Sequence, residues 1–73
     1  MDEFPKATID VRDMLCAQAL AVVAQAIDRL PTGGILAVRY NTADVRQDLA
    51  VWAQERGHQL DIIDSTTLHL ERS

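Results

Sequence analysis

Ile9 and Val11 alternate with Thr8, Asp10 and Arg12, the two-residue period of a half-buried strand from about Thr8 to Val11. From Leu15 the period lengthens: Leu15, Ala19, Val22, Val23, Ala26, Ile27 and Leu30 recur at the steps of an amphipathic helix. A polar corner separates the two periods, and Cys16 stands where the helix opens. Pro31 cannot extend the helical ladder and Gly33-Gly34 suits a turn, so the helix is expected to end near Leu30. Gly34 to Tyr40 then carries the unbroken apolar run Ile35-Leu36-Ala37-Val38, the pattern of a central strand covered on both sides or nearly so. A strand, a helix and a strand joined this closely predict a parallel pair with a right-handed crossover.

Asn41 or Thr42 is placed to cap a second helix, with Asp44 favourable in its first turn. Val45, Leu49, Trp52 and Ala53 form its buried stripe, Asp44 and Asp48 read as a solvated stripe one turn apart, and Gly57 stops it. Two short alternations follow. Residues directly opposite in a hairpin share a face, so Leu60 should oppose Leu70 and Ile62 should oppose Leu68. That register sets Ile63 against Thr67, leaves Asp64, Ser65 and Thr66 as the connection, and puts Asp61 beside His69 as a surface ion pair. No glycine serves the connection, which leaves room for a bulge or a shifted turn. The order β-α-β-α-β-β predicts an α+β fold: a two-layer sandwich whose mixed four-stranded sheet carries both helices on one face. Ile35, Ala37 and Ile63 fall on the other face beside Arg39, Asp61 and His69.

Seventy-three residues, 48% hydrophobic and 25% charged, make one small globular domain with little room for a deep cavity. Residues 1–7, with Pro5 and two acidic residues, read as a flexible leader from which Phe4 folds back on the domain edge; residues 8–73 form the domain. A net charge of −4 opposes general binding to phosphate backbones, and Arg12, Arg29, Arg39, Arg46 and Arg56 are scattered rather than clustered. Direct nucleic-acid binding is therefore not expected. No apolar run reaches the length of a membrane span, and one cysteine closes no internal disulfide, so a reducing cytoplasm is the expected setting. Exposed apolar positions allow a monomer or a weak dimer.

The candidate chemistry is at Cys16. The first amides of a helix have no carbonyl partner and carry the positive end of the helix dipole, which favours thiolate over thiol. A pKa below that of a free cysteine is expected on this ground. Taken alone, Cys16 reads as a small buried packing residue sooner than as a nucleophile. Cys16, His58 and His69 lack the spacing of a metal motif, and neither a phosphate loop nor a nucleophile elbow is present.

The segment Asp10-Val11-Arg12-Asp13-Met14-Leu15-Cys16-Ala17-Gln18-Ala19 resembles the Asp-x-Arg-Gly-Leu-x-Cys-Pro-x-Pro pattern of the TusA/SirA-like sulfur carriers. Asp10, Arg12 and Cys16 match in identity and spacing, and Met14 is an apolar replacement. Asp48, Trp52, Gly57, His58 and Leu60 fit the family's later positions, with Leu49 for an isoleucine. The resemblance covers nearly the whole chain after residue 7. It implies a carrier that takes sulfur as a persulfide on Cys16 from a cysteine desulfurase or rhodanese-like donor. An acceptor protein then receives it, as in tRNA thiolation, molybdenum-cofactor assembly or sulfur oxidation. The resemblance implies no metal or organic cofactor, and gives Asp10, Arg12 and Asp13 supporting places, with Arg12 holding the thiolate or persulfide anion.

The sequence departs from the pattern where Asp13 replaces glycine and Ala17 and Ala19 replace the two prolines. Proline would fix the helix start just after the cysteine. Asp13 is a good N-cap, able to accept from the N–H of Leu15 or Cys16. The helix is then expected to begin a turn earlier, with Cys16 inside its first turn beside an added negative charge that raises its pKa above that of relatives with glycine. The alternative to sulfur transfer is a family member that has kept the scaffold as a protein-docking or regulatory module.

Overall fold

The structure, a computed structural model, describes residues 6–73. The expected fold-back of Phe4 and most of the expected leader lie outside the described residues. Strand β1 spans Lys6–Asp10, helix α1 Cys16–Asp28, β2 Ile35–Arg39, α2 Ala43–Arg56, β3 Gln59–Ile62 and β4 Thr67–Glu71. The sheet runs β1-β2-β4-β3, with β1 and β2 parallel and the other neighbours antiparallel. The α+β sandwich expected from the hydropathy pattern is the observed architecture.

Strand β1 opens at Lys6, two residues ahead of the expected start, because Lys6 and Ala7 pair with Ile35 and Leu36. Val11 lies just past the strand, yet its N–H continues the parallel ladder to the Arg39 carbonyl at 2.8 Å. It is only 1% exposed. The core gathers Val11, Ala19, Val23 and Ile27 with Leu36 and Val38 of the central strand, Val45, Leu49 and Ala53 of α2, and Leu68 and Leu70 of β4. Alternation along β2 therefore sends Leu36 and Val38 toward the helices, while Ile35, Ala37 and Arg39 take the opposite face. The register places Thr8, Ala37, His69 and Asp61 in one row across that open face, with Asp61 opposite His69 as the sequence predicts.

Both ends of α2 and the C-terminal end of α1 are bounded by groups that satisfy them. Thr42 caps α2 through its hydroxyl, which accepts from the Val45 N–H at 3.3 Å, and Gly57 closes it in a left-handed conformation. At the far end of α1 the Arg72 guanidinium donates to the carbonyls of Asp28 and Leu30. This occupies carbonyls that the last helical turn leaves without partners. Gly34 admits no side chain: a Cβ there would lie 2.9 Å from Leu30 Cβ and 3.0 Å from the Pro31 carbonyl oxygen.

The hairpin has the expected register, Leu60 opposite Leu70 and Ile62 opposite Leu68. Its turn needs no glycine, because the Asp64 carboxylate accepts from the Thr66 N–H and hydroxyl at 2.8 and 3.0 Å. The buried Tyr40 hydroxyl donates to the Asp64 carbonyl at 3.0 Å, pinning the turn to the end of β2. Asp61 and His69 are opposite one another, but among the described residues they form no ion pair; the sole salt bridge there joins Asp10 and Arg12. Opposition in register brings backbones together, and the exposed Asp61 and half-buried His69 gain too little from pairing to hold one geometry.

Candidate functional site

Parallel β1 and β2 end side by side, so the corners after them are neighbours. The first corner is built from hydrogen bonds rather than from proline. The Met14 N–H donates to the Val11 carbonyl at 3.2 Å, closing a turn in which Asp13 has φ 65°. That left-handed conformation suits glycine best and aspartate better than most other residues. The Asp13 N–H donates to Asn41 Oδ1 at 3.1 Å, and Asn41 Nδ2 returns a hydrogen bond to Asp13 Oδ1 at 2.8 Å.

Asp13 is therefore not the N-cap of α1, and the helix does not begin a turn early. Leu15 is the N-cap residue, extended at φ −68° and ψ 153°, and Cys16 is the first helical residue. A carboxylate held by Asn41 is not free to cap, which is why the expected upstream extension does not form. Among the described residues no side chain caps this end, and the first N–H after the cap with a backbone partner is that of Ala19, bonded to the Leu15 carbonyl at 2.8 Å. The amides of Cys16, Ala17 and Gln18 are left open. Leu15, expected on the buried stripe, is instead 78% exposed, because its extended backbone turns it away from the core. Ala19, at a position where the motif has proline, is fully buried.

Cys16 is half-buried, packed against the edge of the core with its remaining surface open to solvent. Its pKa is pushed up rather than down. Asp48 of α2 is the first cause, as a hydrogen-bond acceptor that favours the protonated thiol; desolvation and the charges of Asp48 and Asp44 add to it. The Cys16 backbone amide acts in the opposite direction and is outweighed. The thiol closes no hydrogen bond to Asp48 by distance and angle, so the carboxylate acts as a nearby acceptor and negative charge. The expectation of a lowered pKa is thus corrected, and the opposing charge comes from Asp48 and Asp44 rather than from Asp13.

Arg12 is already engaged. Its Nε donates to both Asp10 oxygens at 3.0 and 3.1 Å and its Nη2 to Oδ2 at 2.6 Å, while the Arg12 N–H also reaches Oδ1 at 2.9 Å. These bonds hold the Asp10 carboxyl at about 2. The pair stiffens the corner, and its cation is shared with a carboxylate rather than free for an anion at Cys16. Far from the thiol, His58 accepts from the Ser73 N–H at 3.2 Å through Nδ1 and stacks at a tilt on Trp52. Among the described residues no three His, Cys, Asp or Glu side chains converge as a metal-holding group, and no enclosed pocket forms.

The structure thus brings Asp10, Arg12, Asp13 and Cys16 onto one short corner and adds three residues the sequence reading did not place there: Asn41, Asp44 and Asp48. Parallel pairing of Asp10 with Arg39 puts Asn41 beside the corner, and Asp44 and Asp48 each stand one position before buried Val45 and Leu49, at the edge of the packed face of α2. What results is a half-exposed thiol outside any enclosed pocket of the described residues, flanked by an exposed leucine and open amides. It is suited to exchange with another macromolecule and unsuited to enclosing a small substrate. Over residues 7–70 the chain matches the family model described as Sulfurtransferase TusA. No curated protein and no solved structure matches it.

Proposed function

The chain belongs to the TusA sulfurtransferase family, whose members are sulfur carriers, and on that premise we propose that Cys16 is the atom site of the carried sulfur. In the first step the Cys16 thiolate attacks the outer sulfur of a donor protein's persulfide. A new S–S bond forms at Cys16, the donor's S–S bond breaks, and the donor cysteine leaves as thiolate. In the second step an acceptor nucleophile attacks the outer sulfur now on Cys16, whose thiolate leaves. No net oxidant or reductant is consumed.

The observation that carries this reading is the placing of the thiol: first residue of α1, half-exposed, next to three amides without protein partners. Those amides favour the anionic forms of the thiol and of the persulfide. Asp48 and Asp44 act against the resting thiolate, so Cys16 waits largely protonated. Leu15 offers an apolar contact beside the reacting atom, the kind of surface a visiting protein covers. A cysteine desulfurase or a rhodanese-like protein is the proposed donor and a second protein the acceptor. Asp10, Arg12 and Asp13 support the corner. A reducing compartment such as the cytoplasm keeps the thiol ready; no helix of the structure is long and apolar enough to cross a membrane.

A second reading, a docking or regulatory module without efficient transfer, draws on the raised pKa of the thiol. One experiment separates the two. The protein is incubated with cysteine and a cysteine desulfurase, or with a rhodanese and thiosulfate, and its intact mass is measured. The carrier reading predicts one added sulfur that a reductant removes and Cys16→Ser prevents; no adduct from any donor supports the docking module.

A further inference from the structure

The corner before Cys16 contains a carboxylate that has been taken out of use. Asp13 lies three residues ahead of the cysteine, two ahead of the N-cap residue Leu15, and a cap by Asp13 would draw α1 upstream. It does not cap, since its N–H and its carboxylate are both bound by the Asn41 side chain, 28 residues away, at 3.1 and 2.8 Å. The grip also supports the left-handed backbone at φ 65° that a non-glycine residue resists.

We propose that Asn41 is a positioning residue for the reaction of Cys16: by holding Asp13 at both ends it fixes the turn and keeps the carboxylate away from the first amides of α1. The proposal rests on Cys16 being the reacting atom, yet its mechanics can be followed without sulfur. Released from Asn41, Asp13 relaxes from the strained turn and takes the cap, moving Cys16 into the interior of a first turn with a negative charge beside it. Asp44 and Asp48 of α2 and the Asp10-paired Arg12 also bear on this corner. They are identical in every variant below, so differences report on Asp13.

The test is the rate of Cys16 alkylation by iodoacetamide as a function of pH, on the full chain. Asn41→Ala is expected to slow alkylation at neutral pH by about fivefold, the population factor of one N-cap hydrogen bond, and to move the pH profile upward. In the Asp13→Gly background there is no carboxylate to restrain and the turn is free of strain. There the same Asn41→Ala substitution is expected to change the rate by less than about twofold. Equal slowing in both backgrounds, or no slowing in the parent, overturns the proposal. Should Asn41→Ala loosen the whole corner, Asn41→Asp keeps the acceptor for the Asp13 N–H, removes the donor to its carboxylate and adds a negative charge, whose own effect is read from the same substitution in the Asp13→Gly background. Slowing in the parent beyond that seen in Asp13→Gly supports the proposal, and equal slowing in both, or none in the parent, overturns it. A failure to load sulfur under any conditions would sink the carrier reading and leave these rates as they are.

Discussion

Replacing Leu15 with serine should stabilise the fold and weaken its encounters at the same time. Leu15 has the extended backbone of an N-cap residue but no side-chain oxygen, so no side chain serves the open amides of Ala17 and Gln18. Leu15→Ser supplies the missing acceptor, worth about 1 kcal/mol. About a fifth of the leucine is buried, given its 78% exposure, and losing that contact costs about 0.5 kcal/mol. Leu15→Ala incurs the loss without the cap. The serine variant should therefore melt about 4–8 °C above the alanine variant for a domain of this size. Against a sulfur donor the two should behave alike. Covering the exposed leucine in a partner's surface is worth about 1.5 kcal/mol, so both should need roughly tenfold more donor for half-maximal loading. Melting curves followed by circular dichroism, with loading rates measured against donor concentration, read both effects. Equal melting of the two variants would show that the opening of α1 is not uncapped, and an unchanged donor dependence would remove Leu15 from the contact surface.

Other substitutions probe the surroundings. Asp48→Asn removes the charge that most favours the protonated thiol, so the midpoint of Cys16 alkylation should move to lower pH; an unmoved midpoint would contradict the assignment. Because the folded-state pKa of Cys16 is raised, the native state holds the proton more firmly. The contribution is complete below the unfolded-state pKa and fades as pH rises through the folded value; Cys16→Ser should flatten that part of the pH-stability curve. The Asp10 carboxyl should titrate near 2 by NMR, returning toward the ordinary aspartate range in Arg12→Ala. Gly34→Ala forces a Cβ against Leu30 and the Pro31 carbonyl and should destabilise the fold by about 1–3 kcal/mol in urea.

The elements were legible because their periods differ: alternation at Leu60, Ile62, Leu68 and Leu70 set the hairpin register, and the three-and-four spacing from Val45 to Ala53 set the face of α2. Gly57 marked one end of that helix through local backbone chemistry, and Asn41 or Thr42 the other, where the structure has Thr42 as the cap. The corner before Cys16 was misread because its decisive contacts are not local. Asp13 alone looks like a cap, and only the neighbouring end of β2 supplies the asparagine that occupies it. Likewise, Leu15 matches the helical period but precedes the helix, so its backbone carries it outward. Asp44 and Asp48 were read correctly as exposed, but their bearing on the thiol depends on how α2 lies against α1, which periodicity does not encode. Asn41 was within reach of inference, since a parallel β1–β2 pair places the residues after each strand side by side.

The most direct test of the account is a single-turnover chase of loaded protein. Protein carrying one sulfur is freed of donor, a portion is trapped with a thiol-blocking reagent and digested, and the remainder is mixed with an acceptor protein. The account predicts that the extra sulfur maps to the peptide containing Cys16 and passes to the acceptor with matching loss from the carrier. Sulfur found elsewhere on the chain, or retained on Cys16 while every acceptor stays unlabelled, would contradict it.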